Sequence, residues 1–148
     1  MSIWFKDFTL NELNGLFKNT LPELLNIEFT DIGSDSLVAR MPVDSRTHQP
    51  AGIMHGGASC VLAETIGSVG AGCCIDPEKF HCVGLDINTN HIRAISSGIV
   101  TGIGKSFHIG RSTQVWGIDI FNEQQKLISV TRLTVAVLVR DRTPAKSE

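Results

Sequence analysis

Gly56-Gly-Ala-Ser-Cys-Val-Leu-Ala-Glu-Thr-Ile-Gly-Ser-Val-Gly-Ala-Gly-Cys-Cys-Ile75 is the stretch on which the fold turns. It is apolar nearly all round and built from small side chains, which predicts a long helix buried on most sides. Its glycines weaken helix propensity, so they are expected where a neighbouring backbone or ring comes close. Upstream, Thr9-Leu-Asn-Glu12 fits a capping box, and Leu10, Leu13, Leu16 and Phe17 share one face of a short helix. A second turn is expected at Thr20-Leu-Pro-Glu23. Ile27, Phe29 and Asp31 then alternate with polar neighbours, and after the turn at Gly33 so do Leu37, Ala39 and Met41.

Residues 43–55 read as a polar loop leading into the long helix. After Pro77 the period becomes two: Val83, Leu85 and Ile87 alternate with Gly84, Asp86 and Asn88. Three more strands are expected at 98–107, 113–121 and 127–139, with turns near Gly110 and Asn122. The order is therefore helix, two strands, one long helix, then four strands with hairpin-length connections. That predicts an α+β fold with a mainly antiparallel sheet. One helix cannot cover both faces of six strands, so a second copy is expected to supply the other layer. A single domain is expected over 1–139, followed by a polar, frayed tail over 140–148.

Composition excludes several classes. The 148 residues carry 13 basic and 15 acidic side chains, a net charge of -2 that does not suit a general nucleic-acid binder. An apolar content of 42% is too high for disorder. No run approaches the roughly 20 apolar residues of a membrane span, and the opening residues lack the pattern of a secretory signal. Cys60, Cys73, Cys74 and Cys82 form no C-x-x-C and no disulfide framework, so small buried thiols in a reducing cytoplasm are expected and no metal site.

Two motif likenesses fail. His55-Gly-Gly57 looks like an esterase oxyanion loop, but no G-x-S-x-G accompanies it. Gly104-Lys-Ser106 looks like the end of a P-loop, but position 99 is Ile99 and no helix follows.

Glu64 is the most informative residue. It sits mid-helix among Val61, Leu62, Ala63 and Ile66, with no basic side chain three or four positions away. A buried unpaired carboxylate is costly, and such groups gather at functional sites. The competing readings are a narrow solvent-facing stripe shared with Ser68, or a cation from another element. Ser68, one turn on, either orients Glu64 or its water or bonds back to its own helix. Gly56 and Gly57 open the helix with amides free to meet an oxyanion. His55 caps the helix, contacts substrate or fills a satisfied pocket. Gln49 donates to a carbonyl or is a solvated loop amide.

Gly56 and Glu64 are eight residues apart, about 12 Å along a helix. A carbonyl held by the helix-start amides does not reach Glu64 of the same helix, so a shared reaction calls for two protomers with antiparallel helices. Charge adds a second clue. No Asp or Glu occurs from Ile87 through Ile118, where Arg93, Lys105 and Arg111 lie with His91 and His108. Elsewhere 10 basic residues face 15 acidic ones, a balance of -5. A local basic window suits a small polyanion better than a duplex, or else it guards sheet edges.

Pro42-Val-Asp-Ser-Arg-Thr-His-Gln-Pro50, His55-Gly-Gly-Ala58, Leu62-Ala-Glu-Thr-Ile-Gly-Ser68 and Val83-Gly-Leu-Asp-Ile-Asn-Thr-Asn-His91 resemble hotdog-fold acyl-CoA thioesterases. The likeness runs from about Trp4 to Leu138. It falls in the Glu-dependent subgroup that includes 4-hydroxybenzoyl-CoA thioesterase, nearest the 1,4-dihydroxy-2-naphthoyl-CoA hydrolases of menaquinone synthesis and their proofreading relatives. The resemblance implies a curved antiparallel sheet around one central helix, a homodimer paired through the sheet, and a homotetramer built from two of them. It implies hydrolysis of an aromatic acyl-CoA, with Glu64 as nucleophile or general base and Gly56 as oxyanion donor. Gln49 and His55 would contact the thioester, and Ser68 would orient Glu64 or its water. Gly84, His91, Arg93 and the turn of His108, Ile109, Gly110, Arg111, Ser112 and Thr113 would line coenzyme A. Ser106 and Phe107, just before that turn, depart from the pattern. No cofactor is implied, since coenzyme A belongs to the substrate. The alternatives are a thioesterase for medium-chain, branched or carrier-protein thioesters, a non-catalytic acyl-CoA binder, and a hydroxyacyl-thioester dehydratase. The dehydratases' H-F-P loop is absent here.

Overall fold

A computed structural model describes residues 1–140. The expected tail over 140–148 lies outside it except for Arg140. That residue is tied down: its amide donates to Lys79 O (2.8 Å) and its Nε to Phe80 O (3.1 Å).

The elements follow the expected order. They are α1 (Leu10–Gly15), α2 (Leu21–Leu24), β1 (Glu28–Ile32), β2 (Ser36–Val43), α3 (Gly56–Cys73), β3 (Phe80–His91), β4 (Gly98–Ile109), β5 (Thr113–Phe121) and β6 (Leu127–Val139). The Thr9 capping box forms as read: the Thr9 hydroxyl accepts from the Glu12 amide and the Glu12 carboxylate accepts from the Thr9 amide. The six strands make one sheet in the order β1-β2-β4-β5-β6-β3, with every pair antiparallel. The inner face carries Leu37, Ala39, Met41, Val100, Trp116, Ile118, Leu133 and Val135, all buried against α3.

Three sequence expectations need correction, each for a tertiary reason. The long helix is not buried on most sides within one chain. Leu62, Ala63, Ile66, Gly67, Gly70 and Ala71 are buried, but Cys60, Val61, Glu64, Thr65, Ser68, Val69 and Gly72 form a half-buried stripe. In β1 a bulge between Phe29 and Asp31 makes Thr30 the extra residue, so Asp31 is exposed instead of sharing the buried face of Phe29. In β3 a bulge between Gly84 and Asp86 makes Leu85 the extra residue. Gly84 pairs with Val135 and Ile87 with Leu133, both inner-face residues, whereas Val83 pairs with Ala136. The expected alternation therefore breaks at Leu85, which is 60% exposed, and Gly84 joins Ile87 on the side facing α3.

Gly67 and Gly70 of α3 are close-approach positions, and Gly72 is not. Trp116 is fully buried, stacks on Trp4 with ring centroids 6.2 Å apart, and donates from Nε1 to Gln114 Oε1 (3.0 Å). The buried Gln114 amide in turn donates to Ala71 O (3.2 Å). A Cβ on Gly70 would stand 2.7 Å from the Trp116 ring, whereas one on Gly72 would meet nothing within 4 Å. Gly70→Ala is therefore expected to lose about 1–2 kcal/mol, since overpacking outweighs the gain in helix propensity. Gly72→Ala is expected to gain up to about 1 kcal/mol. Urea unfolding of the two variants checks this, and equal effects would refute the packing argument.

Candidate active site

The loop before α3 is pinned to the sheet side of the molecule by its backbone. Gln49 N donates to Ile53 O (2.9 Å), Met54 N to Ile95 O (2.7 Å), and His55 N to Thr47 O (2.7 Å). The Arg46 guanidinium clasps Asp44 (2.6 Å) and holds that carboxyl well below the usual range, at about 2. These ties deliver Gln49 and His55 to the first turn of α3. His55 is the helix cap, as one of the readings of the sequence expected: its Nδ1 accepts from the Gly57 amide (2.7 Å). The Gly56 amide has no hydrogen-bond partner among the described residues. His91, at the end of β3, lies over it. A Cβ on Gly56 would fall 2.6 Å from His91 Nε2, so only glycine admits the ring there.

A cavity of about 320 Å³ opens at this helix start, and Gln49, Gly56, His91 and Arg93 all line it. Gln49 turns its Oε1 onto the Ala51 amide, which leaves its NH₂ group without a protein partner among the described residues. Ser59 also lines the cavity. It is 1% exposed and its hydroxyl has no partner among the described residues. The sequence reading passed over Ser59. Its one signal was a position three residues after Gly56, on the same side of the first turn.

Glu64 and Ser68 line a different cavity, of about 450 Å³, on the half-buried stripe of α3 beneath α2. No described cation pairs with Glu64 and no described group hydrogen-bonds its carboxylate. The backbone of β3 comes close to it: a Cβ on Gly84 would lie 2.6 Å from Glu64 Oε1. The β3 bulge puts Gly84 on this face, and the missing side chain makes the space that the carboxylate occupies. Among the described residues the Ser68 hydroxyl bonds neither to Glu64 nor back to its own helix, in contrast to Thr65, which donates to Val61 O (2.6 Å).

One chain thus does not unite the expected site. Gly56, Gln49 and His91 belong to one cavity, Glu64 and Ser68 to another, as the helix distance required. The residues read as lining coenzyme A divide in the same way. His91 pairs with Ser129, while the turn around Ser112 sits opposite Ala136 and Val137 at the other end of β6. Seven residues of strand, roughly 24 Å, separate the two ends. Phe107 is 73% exposed on the outer face, its ring over Gly117. Of the cations in the acid-free window, Lys105 pairs with Asp35 (3.5 Å), and Arg93 and Arg111 make no ion pair among the described residues. Burial pushes the Cys73 and Cys74 thiols up to about 12 and raises Cys82 less far, so these three stay protonated at neutral pH. Among the described residues no helix is long and apolar enough to cross a membrane.

Known proteins resemble this chain in sequence and fold. The family described as the thioesterase superfamily matches residues 51–129. The 1,4-dihydroxy-2-naphthoyl-CoA hydrolase of Escherichia coli is 48% identical over 136 residues, covering 92% of this chain and 99% of its own. The proofreading thioesterase EntH of Cronobacter turicensis is 46% identical over 136 residues, covering 92% and 98%. A thioesterase of Pseudomonas aeruginosa, crystallised as its Q49A variant, superposes with a TM-score of 0.93 at 45% identity, over 94% of this chain and 100% of that one. With its six antiparallel strands packed against α3, the chain belongs to the hotdog-fold thioesterase superfamily. Within it, this protein is a thioester hydrolase.

Proposed function

We propose that the protein hydrolyses an aromatic acyl-CoA to the free acid and coenzyme A, and that each active site is shared between two copies. The observation that supports this most strongly is the division of the site: the free Gly56 amide and the Glu64 carboxylate line separate cavities of one chain. β3 is one of the two edge strands of the sheet, and it carries the exposed apolar residues Val83 and Leu85. Two such edges pairing antiparallel about a two-fold axis between Ile87 and Asn88 would set Gly84 of one copy opposite His91 of the other. Glu64 would then meet the Gly56 amide of the second copy. The names of the relatives supply the aromatic acyl group; a medium-chain, branched or carrier-protein thioester is the alternative substrate.

In the reaction the carbonyl oxygen accepts from the Gly56 amide, where the helix start favours the developing negative charge. Gln49 donates from its free NH₂ group to the same oxygen. Glu64 either adds to the carbonyl carbon, giving an anhydride that water then opens, or takes a proton from the water that adds. In both routes the C–S bond breaks, the thiolate leaves, and the proton taken from water ends on the products. Neither route uses a metal or a cofactor. His91 and Arg93 of one copy and the turn 108–113 of the other would hold the nucleotide end. A homotetramer of two such dimers, acting in the cytoplasm in menaquinone synthesis, completes the reading.

A thiol-release assay with benzoyl-CoA tests the activity, and mixing tests the shared site. Glu64→Ala and Gly56→Pro protomers, each inactive alone, are expected to regain activity in a heterodimer, because one of its two sites keeps both intact groups. Demonstrated heterodimers with no recovery would count against the shared site.

A further inference from the structure

Three buried side-chain polar atoms have no partner among the described residues: Ser59 Oγ, His81 Nδ1 and Ser129 Oγ. Of these residues, Ser59 belongs to the wall of the cavity at the Gly56 amide, and the other two do not. A hydroxyl left buried and unpaired is costly, so an orphan at a cavity wall points to a partner that arrives with the ligand. Ser59 does not turn its hydroxyl back on its own helix, as Thr65 does towards Val61 O (2.6 Å). Position supplies the direction. Ser59 follows Gly56 by three residues in α3, and the Cα–Cβ bond of a helical residue tilts towards the helix start. The side chain therefore leans over the turn that the free Gly56 amide opens, and at 1% exposure water hardly reaches it.

The reaction has a place for a donor that is idle until chemistry begins. A thioester carbonyl oxygen has two lone pairs, and the Gly56 amide and the Gln49 NH₂ group take both. Addition to the carbonyl carbon opens the C=O double bond and leaves its electron pair on oxygen, which gains a third lone pair and a negative charge. A third donor at that spot bonds the oxyanion and not the substrate.

We propose that Ser59 is a further catalytic residue, whose Oγ–H donates to the oxyanion beside Gly56 and Gln49 of the same chain. The inference rests on the reading of Gly56 as the oxyanion donor. The hydroxyl keeps its proton throughout. When the C–S bond breaks, the electron pair on oxygen re-forms C=O, the thiolate leaves and Ser59 is idle again. An interaction made only in the transition state raises kcat without tightening substrate binding.

The test compares the wild type, Ser59→Ala and Ser129→Ala in thiol release from benzoyl-CoA, in binding of phenacyl-CoA and in thermal melts. Phenacyl-CoA carries a methylene between carbonyl and sulfur, so it presents the carbonyl and is not cleaved. Ser59→Ala is expected to lower kcat by about 10²-fold, the lower end of what one oxyanion donor supplies, with KM and the Kd of phenacyl-CoA near their wild-type values. Its melting temperature is expected to hold or rise, because the empty enzyme loses no hydrogen bond. Ser129→Ala removes a hydroxyl that is no less buried but lies outside the cavity wall, and it is expected to keep wild-type kcat. Wild-type kcat in Ser59→Ala overturns the proposal. A lowered melting temperature, a failure to fold or weakened phenacyl-CoA binding overturns it too, since each makes Ser59 a structural residue, as does an equal fall in Ser129→Ala. A wild type that releases no thiol from benzoyl-CoA would sink the function itself, and the inference with it.

Discussion

Glu64→Ala is expected to lower kcat for benzoyl-CoA by about 10²–10⁴-fold, the range a positioned carboxylate contributes as general base, and to leave the fold intact. The structural half of this expectation follows from what Glu64 does not hold. Its carboxylate makes no hydrogen bond or ion pair among the described residues, and it sits on the half-buried stripe of α3, outside the packed core. Removing it orphans no partner, and alanine is the better helix former, so stability should move by no more than about 0.5 kcal/mol. Thiol release together with a urea melt separates the two effects. Full turnover by a folded Glu64→Ala protein would remove Glu64 from the mechanism, whatever the relatives do. Glu64→Gln keeps the shape and is expected to fail equally, because the charge is what both routes require.

Gly84→Ala is the second large effect, and it separates two roles for one glycine. Resemblance assigns Gly84 to the coenzyme A wall, whereas the structure sets it against Glu64. The added methyl would arrive 2.6 Å from Oε1, at the far end of a flexible side chain. The carboxylate yields at little cost to the fold, but a shift of about 1 Å in a reacting group typically costs on the order of 10² in rate. The expected signature is a fall in kcat with little change in KM and a melting temperature near that of the wild type. Introduced into Glu64→Ala, the same substitution is expected to do nothing further, since there is no carboxylate left to displace. A rise in KM alone, or an added loss on the Glu64→Ala background, would return Gly84 to the coenzyme A wall.

What could be read from the chain follows from how each feature is encoded. Helix and strand are periods in the backbone, so they imprint themselves on neighbouring residues: Leu37, Ala39 and Met41 alternate because every second side chain faces the core, and Thr9 and Glu12 cap because they stand three apart. The separation of Gly56 from Glu64 was also within reach. The rise of a helix per residue is constant, and Gly56 and Glu64 are simply too far apart along it. Ser59 escaped notice because a serine in a small-residue helix carries no signal until its burial without a partner is seen.

The sequence by itself thus determined the order of elements, the antiparallel sheet, the long helix and the carboxylate on it, because each depends on residues a few positions apart. Only the tertiary structure decided which faces met. The bulges at Thr30 and Leu85 each slip one strand by a single residue, which reverses the facing of everything on one side of the slip while leaving composition and propensity untouched. That one-residue slip is what turns Gly84 towards Glu64. No local pattern could reveal it, because the residue that benefits lies twenty positions away on another element.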